Sequence, residues 1–307
     1  MSALARAFRA ARPFPHLVLD GFLDPGQAAA VAAEFPAAAR LERAGDGYLG
    51  SRGVMRDLAA AGPASRALDR RLRSPGFLRW AGEVCGEPGL VRNPRGDCGG
   101  LFQDEHGLEL DPHLDVNLTV PGHRRRASLF LYLNRDWRDE WGGALCLHSA
   151  PGRPPAARVR PAPGRAVLLA CREDAWHSVS PVTLPPRRRA AGRRVLIVNL
   201  YSPTRAGDAP AHHSVWLPRP LPAGFAAGRR LAPGDASALR RLLARRDRLI
   251  AGLSPADAAR REPLPGRFAG GYTLKAADRV ELRRLFAGRD RALRRLYARQ
   301  AAALSVL

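Results

Sequence analysis

Between residues 88 and 204 the chain is cut into short apolar runs separated by glycine and proline, and this punctuation constrains the fold more than any other feature. Ser128-Leu129-Phe130-Leu131-Tyr132-Leu133-Asn134 reads as a strand, and Gly142-Gly143 turns the chain into a second, Ala144-Leu145-Cys146-Leu147. Ala166-Val167-Leu168-Leu169-Ala170 and Arg194-Val195-Leu196-Ile197-Val198-Asn199-Leu200 add two more. Many short strands with Gly and Pro turns imply an antiparallel β-sandwich of jelly-roll type. The expected fold class is therefore mainly β with flanking helices.

Three residues in this stretch suggest a metal centre. In Pro112-His113-Leu114-Asp115 an apolar residue separates two ligand types, and the period of two along a strand sends His113 and Asp115 to the same side. His177, in Ala175-Trp176-His177-Ser178-Val179, follows a later strand that can return it to the same ion. Two imidazoles and one carboxylate can hold one face of Fe(II) and leave the other open for chemistry. A His-x-Asp pair standing alone is more often a hydrogen-bonded surface pair; here the intervening strands give it context.

With the Tyr132-Leu133-Asn134, Trp137, Gly142-Gly143 and Leu145 pattern lying between these ligands, residues 100 to 202 resemble the iron(II)- and 2-oxoglutarate-dependent oxygenases, in particular the prolyl-4-hydroxylase-like branch. Arg12 to Leu23 is similar to the opening strand and helix start of many members. The resemblance implies a double-stranded β-helix core, Fe(II) on His113, Asp115 and His177, 2-oxoglutarate as cosubstrate, O2, and ascorbate dependence. It further implies that an Arg early in the strand after His177 pairs with the distal carboxylate of the cosubstrate, and that Tyr132 helps to hold it. In Gly192-Arg193-Arg194 the expected partner is Arg194, which shares a strand face with Leu196 and Val198; Arg193 is the second choice. The insertion Leu184-Pro185-Pro186-Arg187-Arg188-Arg189 makes the interval from His177 longer than the family's and adds Arg187 to Arg189 as further candidates. The family's Tyr…Pro-Gly pattern before the first ligand is missing at Leu101 to Gly107. What the resemblance implies is a hydroxylase, releasing succinate and CO2, that acts on a prolyl or other residue of a protein or peptide; a free small molecule is the alternative substrate.

Other residues carry blander expectations. Trp137 and Trp176 read as packing aromatics. His16 reads as a core or capping residue, His123 as part of a polar loop and His148 as near the mouth of the site. His212-His213 has no carboxylate at ligand spacing. Cys85, Cys98, Cys146 and Cys171 show no Cys-x-x-Cys spacing and are expected to be reduced, partly buried thiols.

The formal net charge is +22, and Lys275 is the only lysine among 50 Lys and Arg residues. The arginine bias matches a GC-rich genome, whereas the excess of bases over acids points to an anionic substrate or acidic partner. A basic rim of Arg124 to Arg126 and Arg187 to Arg189 is the expected recruiting surface. No aromatic-studded basic strand argues for a nucleic acid, and the complete triad with Arg194 argues against the remaining reading, a non-catalytic basic binding protein with a jelly-roll core. The sequence shows neither a signal-like apolar run at the start nor a stretch of ~20 apolar residues, so a soluble, cytoplasmic protein with no membrane segment is expected.

Three regions follow. Residues 1–87 are an opening strand with helical support, including a helix at Pro25 to Phe35 capped by Asp24 and another at Ala64 to Val84. Residues 88–204 are the oxygenase domain. Residues 205–307 are a Pro-rich connector and an Arg-rich helical extension, with helices at Asp235 to Leu253 and Ala276 to Leu304. Leucine stripes on these two helices are expected to pack on the sandwich or on a second copy of the chain.

Overall fold

A computed structural model describes residues 2–43, 48–49, 51–92, 99–117, 122–259 and 261–304. The strands are β1 His16–Leu19, β2 Glu42–Arg43, β3 Tyr48–Leu49, β4 Arg52–Met55, β5 Val91–Arg92, β6 Gly100–Asp104, β7 Glu109–Leu114, β8 His123–Tyr132, β9 Leu145–His148, β10 Pro155–Val159, β11 Ala166–Ala170, β12 His177–Val179 and β13 Arg193–Pro203. The helices are α1 Ala3–Ala10, α2 Pro25–Ala33, α3 Pro63–Arg73, α4 Pro75–Cys85, α5 Asp235–Leu253, α6 Pro255–Ala258 and α7 Ala276–Leu304.

The strands form two antiparallel sheets. One has the order β1-β11-β8-β13-β6-β4-β2, with β5 also on β13; the other runs β10-β9-β12-β7, with β3 also on β7. From β6 to β13 the chain passes back and forth between the sheets, with β6, β8, β11 and β13 in the first and β7, the β9–β10 hairpin and β12 in the second. This is the expected double-stranded β-helix with its jelly-roll core. The central ladder pairs Tyr132 with Val195, Phe130 with Ile197 and Ser128 with Asn199.

Side chains sort by parity along this ladder. Phe130, Tyr132, Val195 and Ile197 point between the sheets with Phe102, Leu145, Leu147, Val167 and Leu169. Leu129, Leu131, Leu196 and Val198 point the other way, into a layer filled by Phe8 of α1, Val31 of α2, Leu68 and Leu72 of α3 and Phe77 and Val84 of α4. Both faces of β13 are therefore buried, as in sheets covered by helices on one side and a second sheet on the other.

The N-terminal helices begin where their sequences place caps. The Asp24 side chain accepts from Gln27 N at 2.8 Å, with Pro25 in the first turn. The expected single helix from Ala64 to Val84 is two helices, because Pro75 carries no N–H for the turn before it and Ser74 caps the new start at Phe77 N, 3.2 Å away. Pro63–Arg73 and Pro75–Cys85 are thus separate elements.

The chain divides into two compact units, 1–214 and 215–307, so the helical support belongs to the same unit as the sheets. In the second unit α5 and α7 occupy the expected ranges, and Leu239, Leu243, Leu282 and Leu285 close on Phe225, Phe268 and Phe286. Ile250, Leu293, Leu296 and Tyr297 form a second cluster. The leucine stripes thus cover one another inside this unit. Among the described residues no helix is long and apolar enough to cross a membrane. Cys85, Cys146 and Cys171 are free thiols, and burial pushes Cys85 and Cys171 up to about 12; Cys98 lies outside the described residues.

Candidate active site

His113 is the penultimate residue of β7, Asp115 directly follows the strand and His177 opens β12, where it pairs with His113 across the ladder. Ligand atoms of all three lie within 4.8 Å of one another. Both rings are oriented from behind: His113 Nδ1 is 2.8 Å from Asp111 O and His177 Nδ1 is 2.9 Å from Ala175 O. A carbonyl only accepts, so each Nδ1 donates and each Nε2 is left with a lone pair. Those Nε2 atoms stand 3.8 Å from Asp115 Oδ1 and 3.8 Å from Asp115 Oδ2 respectively. Two nitrogen lone pairs and a carboxylate converging from neighbouring strands fit a divalent metal with one face open.

Electrostatics favour the ligand forms. Burial, with His177 close by, pushes His113 down to about 3, so it is neutral at physiological pH. Burial alone would raise Asp115, but the Arg125 guanidinium leads the effects that outweigh it and hold the carboxyl below its ordinary value. Arg125 donates from Nη2 to Asp115 Oδ2 at 2.8 Å and to Ser128 Oγ at 2.7 Å.

Deeper between the sheets lies a second polar cluster. Tyr132 is fully buried on the inward face of β8, and Arg193, 1% exposed, approaches it from β13. The guanidinium sits 5.1 Å from the Tyr132 ring centre, and Nη2 is 3.4 Å from the hydroxyl. Nε donates to Gly143 O at 2.6 Å and Nη1 to Asp104 Oδ2 at 2.7 Å. Asp104 is shared with Arg52 of β4, and the two guanidinium groups hold its carboxyl low although burial alone would raise it. Gly143 has φ +68°, and a Cβ there would lie 2.8 Å from Arg193 Cδ, so the second glycine of the turn makes room for the arginine it orients. Gly192, with φ +58°, fits against β6 in the same way: a Cβ would meet Gln103 Cγ at 2.5 Å.

Arg194 is not at this site. It lies on the outer face of β13, with Nε on Ala191 O at 3.0 Å and Gln103 Oε1 at 3.2 Å, and its guanidinium 4.6 Å from the Phe35 ring centre. Strand parity separates it from Tyr132 and brings Arg193 in instead. The expected basic rim is likewise dispersed. Arg125 is committed to Asp115, Arg126 to Asp208 and Ser202, and Arg188, on the exposed hairpin, to Asp136. His148 is buried, 2.8 Å from Ser178 Oγ, and His212 is 3.0 Å from Glu173 Oε1, a carboxylate distant in sequence. Arg125, Asp104, Arg52 and Gly143 as an acceptor were not expected from the sequence. Only the Gly-Gly dipeptide carried a signal, since a second positive φ residue beside a turn marks close backbone approach.

Residues 100–198 match the 2OG-Fe(II) oxygenase superfamily. Among curated proteins none matches this sequence. Among solved structures the chain is similar to a prolyl-4-hydroxylase of Pseudomonas putida, at 22% identity and TM-score 0.46, covering 66% of this chain and 100% of that one. It is also similar to an oxidoreductase of the 2OG-Fe(II) oxygenase family from Burkholderia pseudomallei, at 21% identity and TM-score 0.45, covering 65% and 89%. A third is HygX of Streptomyces hygroscopicus with nickel and 2-oxoglutarate bound, at 19% identity and TM-score 0.42, covering 62% and 83%.

Proposed function

We propose that the chain, whose residues 100–198 match the 2OG-Fe(II) oxygenase superfamily, is a 2-oxoglutarate-dependent dioxygenase that hydroxylates an unactivated C–H bond in a prolyl or other residue of a protein or peptide. The observation that carries the site assignment is the convergence of His113 Nε2 and His177 Nε2 on the two oxygens of Asp115, at 3.8 Å each. Fe(II) and 2-oxoglutarate, when bound, supply with O2 the oxidising chemistry that releases succinate and CO2 and places a hydroxyl on the substrate.

The chain's own residues bind, orient and shield. His113, Asp115 and His177 hold the metal, their rear hydrogen bonds fixing the ring planes before it arrives. Arg125 occupies one lone pair of Asp115 Oδ2 and steadies the carboxylate. Arg193 and Tyr132 bind the distal carboxylate of the cosubstrate: Nη2 and the phenol are donors not committed to an acid, while Gly143 O and Asp104 fix the fork in place. Phe130, Leu145, Leu147, Val195 and Ile197 line the space between sheets and keep water from it. Arg193 thereby takes the role that the sequence reading gave first to Arg194.

The test is succinate and CO2 formation from 2-oxoglutarate by anaerobically purified protein given Fe(II) and O2, with and without ascorbate. Turnover that disappears in His113→Ala/Asp115→Ala is expected. Turnover stimulated by peptide pools supports the peptide reading, and stimulation only by low-molecular-weight fractions replaces it with a free small-molecule substrate. Failure to bind both Ni(II) and 2-oxoglutarate would overturn the site assignment.

A further inference from the structure

The inner face of β13 carries one polar side chain that this assignment leaves unused. Asn199 is 2% exposed, and neither its Oδ1 nor its Nδ2 finds a hydrogen-bond partner among the described residues. A buried carboxamide in that condition is uncommon, because its desolvation goes uncompensated. Its cross-strand neighbour is Ser128, whose hydroxyl is taken by Arg125 Nε and Nη2 at 3.1 and 2.7 Å. Arg125 in turn is held on Asp115. The amide therefore stands beside the metal triad with its hydrogen-bonding capacity intact.

Position along the ladder decides what it meets. Same-face steps in a strand are about 6.6 Å apart. Tyr132 and Val195 mark the anion site, and Phe130 and Ile197 mark the next step, where the Phe130 ring lies 6.2 Å from the His177 ring. Ser128 and Asn199 are one step beyond, on the far side of the metal level from Arg193. A cosubstrate anchored at Tyr132 and reaching back to the metal ends short of Asn199.

We propose that Asn199 is a specificity-determining residue whose carboxamide binds a neutral group of the primary substrate offering both a donor and an acceptor, as the N–H and C=O of one extended peptide residue do. The group is neutral because the amide is uncharged and the neighbouring guanidinium is already engaged by Asp115. This rests on the oxygenase assignment and adds to it the chemistry of the substrate-side wall.

The experiment compares wild type with Asn199→Val, a β-branched replacement of similar size. Three quantities are measured: calorimetric Tm of the metal-free protein, affinities for Ni(II) and 2-oxoglutarate, and Ni(II)-induced broadening of the proton signals of N-acetylglycine N-methylamide in the ternary complex. The variant is expected to melt about 3 °C higher, because an uncompensated buried amide has been removed. Its Ni(II) and 2-oxoglutarate Kd values should stay within about twofold of wild type, and it should lose the broadening that wild type shows. A lower Tm identifies Asn199 as a structural group satisfied by water, and a tenfold loss of 2-oxoglutarate affinity moves it to the cosubstrate side. Either result, or absence of broadening by wild type, overturns the proposal. Wild type that binds neither Ni(II) nor 2-oxoglutarate would instead indict the oxygenase assignment, and the Tm comparison would still judge Asn199.

Discussion

Among the described residues two arginines are no more than 1% exposed, one in each compact unit, and they are used differently. Arg246 of α5 gives Nε to Asp290 at 2.8 Å, Nη1 to Leu242 O at 3.0 Å, and Nη2 to Arg219 O and Pro218 O at 3.0 and 3.2 Å. It also lies 4.7 Å from the Phe286 ring centre. Arg193 holds Gly143 O and Asp104 tightly, but its third nitrogen reaches only the Tyr132 hydroxyl, at 3.4 Å. Burial alone does not separate a structural charge from a functional one. What separates them is donor capacity left over after the fold has been satisfied.

The difference can be broken experimentally. Arg246→Ala should cost about 3 kcal/mol of stability, since it removes a wholly buried side chain and strips the partly exposed Asp290 and several carbonyls of their partner, and denaturant unfolding should show this with 2-oxoglutarate affinity unchanged. Asp104→Asn should cost about 3 kcal/mol near neutral pH by leaving two buried guanidinium groups without their acid. Its pH dependence has a definite sign. A carboxyl held below its ordinary value contributes fully above about pH 4 and loses that contribution as pH falls through the folded value, so wild type and variant should converge in stability only in acid. Arg193→Lys keeps the charge and loses the fork. Isothermal titration should show 2-oxoglutarate binding about 100-fold weaker, or about 2.7 kcal/mol, with Ni(II) affinity preserved. Val280, 68% exposed on α7, supplies the baseline: Val280→Ser should change unfolding by less than about 0.5 kcal/mol.

The triad was legible because its order and the strands between its members are carried by local pattern. The placement of Tyr132 on an apolar strand between them was legible for the same reason. The choice between Arg193 and Arg194 was not, and β13 explains why. A strand with one wet face alternates apolar and polar residues and so declares which side is inside; β13, sandwiched between the helical layer and the second sheet, is apolar on both. Its parity becomes readable only from the register with Tyr132. Arg125 and Asp104 were invisible for a different reason: charged residues on a basic chain read as solvated until long-range pairing brings Asp115 and Arg52 to them. In the helical support, Pro75 was legible as a breaker in hindsight, since a proline after a serine supplies both the end of one helix and the start of the next.

Gly192 adds to what sets the register of β13. Arg193 and Arg194 are chemically identical, and a one-residue slip of the strand would carry Arg194 into the anion site with no change in charge or hydrogen-bonding groups. The same slip would carry Arg193 into the place of Gly192, where the backbone turns at φ +58° and a Cβ would stand 2.5 Å from Gln103 Cγ. The slip would also exchange the two faces of the whole strand and turn Asn199 toward the helical layer, so Gly192 adds a local steric penalty to a register that the strand's packing already favours. A Cβ at Gly192 is therefore expected to disturb the placement of Arg193 beside Tyr132, and a mutational scan read by 2-oxoglutarate affinity would register it.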